Sequence, residues 1–238
     1  MLRARALSVG AKVERGKGAL RVSGDRLDDF RISAKNIAMR DWLNPTSLEF
    51  AGGDAVLITG GSDHAKIGLS LILSGHMRSF HGNLSFVDKN LPQNLTLSAV
   101  KRTLRKISAV VDAPRVSAPY EHTKLRDYVA QELCIAKRPS GRKEVSRFLI
   151  EGDLANYASS ETEEIPTGLY LNAAMKLAVM RKGVSVLHLV LPDRYDCERL
   201  AWQEAIENYH DQGYTVVVYC RKASSGHACG KKFEVGVL

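Results

Sequence analysis

The sequence has little cysteine and no long apolar run, and these absences narrow the classes of protein to consider. Its 238 residues include only four cysteines, and none of them forms a C-x-x-C pair. We therefore expect neither a metal site nor a disulfide framework. No apolar run approaches the roughly 18 residues that a membrane-spanning helix requires. The basic start at 1–6 is not followed by an apolar signal core, which favours a cytoplasmic location.

The charge balance of the chain is basic. Lys and Arg number 34 against 26 Asp and Glu, which gives a net charge of +8 and a pI near 9.3. Such an excess favours anionic partners, among them nucleotides, nucleic acid and phospholipid headgroups. Hydrophobic residues at 45% and charged residues at 25% are typical of a soluble globular chain and exclude disorder as the main interpretation.

Segments typical of strands and helices alternate along the chain. Continuous apolar runs predict buried strands at 55–59, 107–111, 184–191 and 214–220. Further patterns predict helices at 66–77, 124–136, 171–179 and 199–208. This alternation predicts an α/β fold in which helices cover a mostly parallel sheet.

Four other segments have weaker patterns. Residues 1–30 suggest a pair of strands or a loose arm, and the imperfect alternation over 31–39 suggests an exposed antiparallel strand. The polar stretch 137–164 suggests a surface segment or a linker, and 232–238 suggests an edge strand. We expect all of them to belong to one domain spanning 1–238.

The most informative segment joins an apolar strand to a helix through a glycine turn. Gly60 and Lys66 have the spacing of the phosphate-loop motif G-x-x-x-x-G-K-[ST]. In such loops, backbone N–H groups and a helix N-terminus surround the phosphates, the lysine adds positive charge and the hydroxyl holds Mg²⁺. The candidate nucleotide-binding residues are Gly60, Gly61, Ser62, Asp63, His64, Ala65, Lys66 and Ile67.

Three positions of this segment depart from the motif. Ala65 replaces the second glycine, and Ile67 replaces the residue whose hydroxyl would hold Mg²⁺. Asp63 adds a negative charge to a loop that should bind an anion. Two interpretations stay open at this point: a weakened nucleotide site in which Lys66 contacts phosphate, and a plain turn followed by a solvated Lys66.

The order of further segments resembles the ATP-binding cassette (ABC) domain of ABC transporters over residues 31 to 222. The similar segments are 48–54 (the strand and turn before the phosphate loop), 73–84 (the helix end and next strand), 107–112 (the Q-loop strand), 122–129, 165–169 (the L-S-G-G-Q signature), 186–192 (the second nucleotide strand), 193–196 (the D-loop) and 215–221 (the strand before the switch histidine). The resemblance implies a P-loop NTPase-like fold with an antiparallel β-subdomain and a small helical subdomain at 113–182. It also implies ATP as ligand, a membrane subunit as partner, a location at the inner face of the membrane, and face-to-face pairing with a second cassette.

The resemblance fails at the positions that carry the family's chemistry. Val190 and Leu191 replace the metal-binding Asp and the Glu that would activate water. Asp112 stands at the Q-loop glutamine and Arg221 at the switch histidine. Pro166 and Thr167 interrupt the signature, which keeps Gly168. A slip of one or two residues in this alignment would bring His188 or Asp193 nearer the site. We therefore predict no catalytic residue, weak ATP binding and no Mg²⁺ held by the usual ligands.

Two other features have alternative interpretations. Trp42 precedes the loop strand and is either a stacking platform for adenine, as an aromatic is in the family, or a packing residue. A basic run either meets phosphate or lipid headgroups or is a solvated helix face. It consists of Lys101, Arg102, Arg105 and Lys106.

Three functions remain in competition. The first is a degenerate cassette subunit with little or no ATP hydrolysis that regulates or assists a membrane transport protein. The second is an active ATPase completed by a partner subunit or by displaced residues. The third is a basic module that binds nucleic acid or acts as a scaffold, although no recognition-helix pattern, zinc spacing or RNA-stacking motif supports it.

Overall fold

The computed structural model describes residues 29–195, 200–221 and 231–234. Eight strands occur in this part of the chain: β1 Phe30–Met39, β2 Leu43–Ala51, β3 Ala55–Thr59, β4 His81–Asp88, β5 Ser108–Val111, β6 Val186–Val190, β7 Thr215–Tyr219 and β8 Lys231–Glu234. Six α-helices accompany them: α1 Asp63–Leu73, α2 Leu97–Ile107, α3 Leu125–Ile135, α4 Arg142–Glu151, α5 Thr167–Val179 and α6 Leu200–Asp211. The predicted strands or arm at 1–30 lie almost entirely outside the described residues.

A five-stranded parallel sheet forms the centre of the fold, with the strand order β5-β6-β7-β3-β8. Its apolar runs are buried on both faces, because alternate residues point into two different cores. Leu57 of β3 packs into a core with α3, α5 and α6, whereas Val56 and Ile58 pack into a core with α1 and α2. The predicted parallel sheet is confirmed, and β8 is one of its edge strands. Of the edge strand expected at 232–238, residues 235–238 lie outside the described residues.

A separate antiparallel sheet has the order β2-β1-β4. Strand β1 is therefore central, and its residues Ile32 and Ile37 are fully buried. The expectation of an exposed strand at 31–39 was wrong, because the inner face of β1 packs on the core shared with α1 while both its edges are paired. The antiparallel character that the sequence predicted is confirmed.

Residues 137–164 are not a linker. They contain α4 and two short 3₁₀ turns at Ala155–Tyr157 and Thr162–Glu164. Phe148 and Leu149 of α4 are buried among residues of α3 and α5. The sequence suggested a linker because charged residues outnumber apolar residues in this stretch. The charged side chains of α4 face solvent on the side opposite its buried residues. The helices of the described residues lack the length and hydropathy of a membrane span.

Candidate functional site

The glycine turn connects β3 to α1 at the carboxyl edge of the parallel sheet. Gly60 and Gly61 both adopt left-handed backbone angles, with φ of 77° and 61°, a conformation that other residues adopt at a cost. Ser62 then caps α1, because its hydroxyl accepts the backbone N–H of Ala65 at 3.1 Å. The strand, turn and helix therefore have the order that a phosphate loop requires.

Helix α1 begins earlier and ends earlier than predicted, at Asp63 and Leu73 rather than at 66 and 77. The backbone N–H of Lys66 donates to the carbonyl of Ser62 at 3.2 Å and closes the first helical turn. That N–H is thus used within the helix. Only residues 60–62 separate strand from helix, which leaves a shorter turn than the motif's spacing implies.

Lys66 is not a solvated surface lysine. Its side chain is only 1% exposed, and Nζ donates to the carbonyl of Gly61 at 2.9 Å and lies 3.8 Å from Oδ1 of Asp63. Burial lowers the pKa of Lys66, while the nearby carboxylates of Asp63 and Asp193 act in the opposite direction. The ammonium group is therefore directed into its own loop.

Asp63 places a carboxylate beside the cations of the site. Arg221, which follows β7, donates to Asp63 from Nε at 3.0 and 3.2 Å and from Nη2 at 2.7 Å. These hydrogen bonds hold the pKa of Asp63 below its usual value. Bonds of this bidentate, charge-assisted kind are what Arg offers to phosphate groups. The chain thus contains an internal anion, the Asp63 carboxylate, between the cations of Lys66 and Arg221.

His64 and Trp42 lie next to each other beside the turn. Their ring centroids are 5.7 Å apart, with the planes inclined by 56°. The side chain of Trp42 is 48% exposed, so part of its ring faces solvent. Trp42 is therefore beside the loop, where adenine stacking would require it, and the stacking itself stays a prediction.

The end of β6 carries apolar side chains into the core. Val190 and Leu191 are at most 1% exposed, so they leave no carboxylate at the positions where the resemblance implies catalysis. Asp193, in the short turn Pro192–Tyr195, is closer to the site, because its Oδ2 accepts the backbone N–H of Arg221 at 2.8 Å. His188 is fully buried inside β6, and its Nδ1 lies 2.9 Å from the Tyr219 hydroxyl.

Asp112, at the position where the family resemblance places the Q-loop glutamine, belongs to a buried polar cluster that the sequence did not predict. Asp112 has a fully buried side chain and lies 2.8 Å from Nη2 of Arg194. The hydroxyl of Tyr170 donates to Asp112 at 2.7 Å, and that of Tyr195 donates at 3.1 Å. Burial raises the pKa of Asp112, and the Arg194 charge opposes that rise. The cluster joins the end of β5 to α5 and to the turn after β6.

These residues do not fit Mg²⁺-ATP as they are arranged. Ile67 packs its half-buried side chain against apolar residues where a metal-binding hydroxyl would be needed. The Asp63 carboxylate would repel the phosphates, and Arg221 would have to leave Asp63 to pair with them. Within the described part of the chain, no three His, Cys, Asp or Glu side chains are grouped to hold a metal ion.

Comparison with known proteins bears on the fold. No family model matches the sequence, and no curated protein matches it. The structure is similar to CbiO1 from Clostridium perfringens, described as part of the ABC transporter complex CbiONQ, with 16% identity, a TM-score of 0.60, and coverage of 87% of this chain and 85% of that one. It is also similar to MJ0796, described as a bacterial ABC transporter cassette in dimeric form, with 15% identity, a TM-score of 0.59, and coverage of 87% of this chain and 96% of that one. The suspected resemblance is confirmed at the level of architecture: this chain has the fold of an ABC transporter nucleotide-binding cassette.

Proposed function

We propose that this protein is a cassette-fold subunit that does not turn over ATP and that regulates or assists a membrane transport protein. The observation that carries the proposal is the internal anion: the Asp63 carboxylate is bound by Arg221 and lies 3.8 Å from the buried Lys66 ammonium. Charges that would attract phosphate are already paired within the chain.

The end of β6 supports the absence of turnover. A positioned general base typically contributes about 10²–10⁴-fold in rate, and metal ions neutralise the charge that develops on the transferred phosphoryl group. Val190 and Leu191 supply neither group, since both side chains are buried and apolar. The fold therefore keeps the framework of a nucleotide-dependent protein without the groups for hydrolysis.

ATP binding, in this proposal, is weak and depends on Lys66. The phosphates must compete with Asp63 for the same cations, and adenine stacks on the exposed part of Trp42. We do not assign Mg²⁺ a place in the site, because the side chains of Ile67 and Val190 offer it no oxygen ligand.

The descriptions of the similar structures support the proposal that this chain has a partner subunit. One is described as part of a transporter complex and the other as a dimer. We propose that this chain likewise assembles with a membrane subunit at the inner face of the membrane, or with a second cassette. A membrane protein encoded beside this chain's gene is the first candidate for copurification.

An ATPase assay tests the absence of turnover. The purified protein and its Lys66→Ala variant are compared in the presence of Mg²⁺, and we expect the same background rate from both. Lys143→Ala, at an exposed site on α4, serves as the matched control for loss of one lysine. A rate that is clearly above background and disappears only in Lys66→Ala contradicts the proposal.

A second candidate function is an active ATPase completed by a partner, and the position of Asp193 favours it. Its carboxylate adjoins the Arg221 backbone and acts electrostatically on Lys66, so it is a displaced acidic group near the loop. This candidate requires turnover once the partner subunit is added, and loss of that turnover in Asp193→Asn.

A further inference from the structure

A cleft lies at the amino edge of the parallel sheet, at the end opposite the glycine turn. Its volume is about 590 Å³, within the usual range for small-ligand sites. The described residues that line it are Arg105, Lys106, Ser108, Ile135, Ala136, Lys137, Arg138, Met180, Arg181, Lys182 and Val184. They come from the ends of α2, α3 and α5 and from the starts of the following strands.

The cleft is strongly cationic. Six of its eleven described lining residues are Lys or Arg, and none is acidic. Three helix C-termini meet here, and each attracts cations with about half a negative charge. Glu132 also acts on Arg181 from the neighbouring surface. Together these supply only about two and a half negative charges beside six cations. Balancing the helix ends is therefore an insufficient explanation for the six cations.

Two polar atoms at this cleft have no partner within the described part of the chain. Ser108 is 3% exposed, and its Oγ makes no hydrogen bond although it is buried. The Nε of Arg181 is likewise buried without a hydrogen bond. Leaving a buried donor unpaired costs free energy, and such groups in native proteins call for an explanation. A bound acceptor in the cleft provides one.

We propose that this cleft binds a small polyphosphorylated organic anion. The cations and the two unpartnered donors receive phosphate oxygens, and Ile135, Met180 and Val184 form an apolar wall for the organic part of the ligand. Strands of five residues span about 16 Å, so the cleft and the phosphate loop are separate sites. Binding here is independent of Asp63 and Lys66, and it remains whether or not the proposed function is correct.

Titration calorimetry with sodium tripolyphosphate, at fixed ionic strength, tests the proposal on the full chain. The cleft variant carries Lys137→Gln and Arg138→Gln, and the matched control carries Arg142→Gln and Lys143→Gln on the exposed start of α4. We expect the cleft variant to bind about tenfold or more weakly, because two charge-assisted hydrogen bonds are lost. The control and Lys66→Ala should bind as the wild type does.

Ser108→Ala provides a second measurement, and a purely structural role of Ser108 would not produce the result that we expect. Removing an unpartnered buried hydroxyl should leave thermal stability unchanged or raise it, while the affinity for tripolyphosphate falls. Equal weakening in the control variant would show non-specific charge attraction and overturn the proposal. Loss of binding only in Lys66→Ala, or binding of single-stranded nucleic acid or anionic vesicles but not of tripolyphosphate, would overturn it as well.

Discussion

At the scale of single residues, the carboxylate of Asp63 pairs with the cations beside the glycine turn. Two unit charges 4 Å apart interact by about 4 kcal/mol at the effective dielectric typical of a protein surface. Asp63 lies 3.8 Å from the Lys66 ammonium and closer still to Arg221. Its carboxylate therefore attracts these cations with an energy of this order, and a phosphate would have to compete for them. Its lowered pKa keeps it ionised at neutral pH. A neutral residue at 63 would leave the cations available.

A buried histidine makes stability depend on pH. Burial lowers the pKa of His188 to about 3, whereas an unfolded histidine has a pKa near 6.5. The unfolded chain therefore binds the proton first, and stability falls as the pH drops below about 6.5. We expect protonation of His188 in the unfolded chain to lower the free energy of unfolding by about 2 kcal/mol between about pH 6.5 and 4.5.

Denaturant unfolding at several pH values, with wild type and His188→Gln, measures this effect. The variant loses the bond with Tyr219 and is less stable throughout, but its free energy of unfolding should fall less steeply with acidification. Parallel curves for the two proteins would show that His188 does not titrate as described.

At the scale of elements, α4 is part of the core although its sequence is mostly charged. Phe148 is 3% exposed, whereas Ile150, two residues later on the same helix, is 66% exposed. We expect Phe148→Ala to lower the free energy of unfolding by about 3–5 kcal/mol, because it leaves a cavity. Ile150→Ala should change it by less than about 0.5 kcal/mol. If Phe148→Ala and Ile150→Ala both had small effects in chemical denaturation, residues 137–164 would be a linker and not part of the core.

The sequence predicted the elements whose pattern is uniform. β3, β6 and β7 are mostly apolar, as strands covered on both faces are, and this pattern predicted the parallel sheet. The start of α1 was not predictable from the motif spacing, because the cap by Ser62 and the Arg221 pair with Asp63 shift it by three residues. The Asp112 cluster was not predictable from the sequence either, because its members are far apart along the chain and meet only at the sheet edge.

At the scale of the whole molecule, this chain shares its architecture with cassette structures although most residues differ. Identities of 15% and 16% accompany TM-scores near 0.6 with cassette structures. Burial tolerates many exchanges among apolar residues as long as volume and pattern are kept. Phosphate and metal contacts tolerate few, because each depends on one chemical group at one place. A cassette fold with Val190, Leu191 and Asp63 in these positions is what that difference predicts.

In our proposal the Asp63 carboxylate acts as the anion of the glycine turn at 60–62. Calorimetric titration with ATP in the absence of Mg²⁺ tests it most directly, with Asp63→Asn, the double variant Asp63→Asn with Lys66→Ala, and the exposed Asp211→Asn as control. We expect Asp63→Asn to bind ATP about tenfold or more tightly than wild type or control, and we expect the double variant to lose this gain. Equal affinities of Asp63→Asn and wild type, or a gain that persists without Lys66, would contradict it.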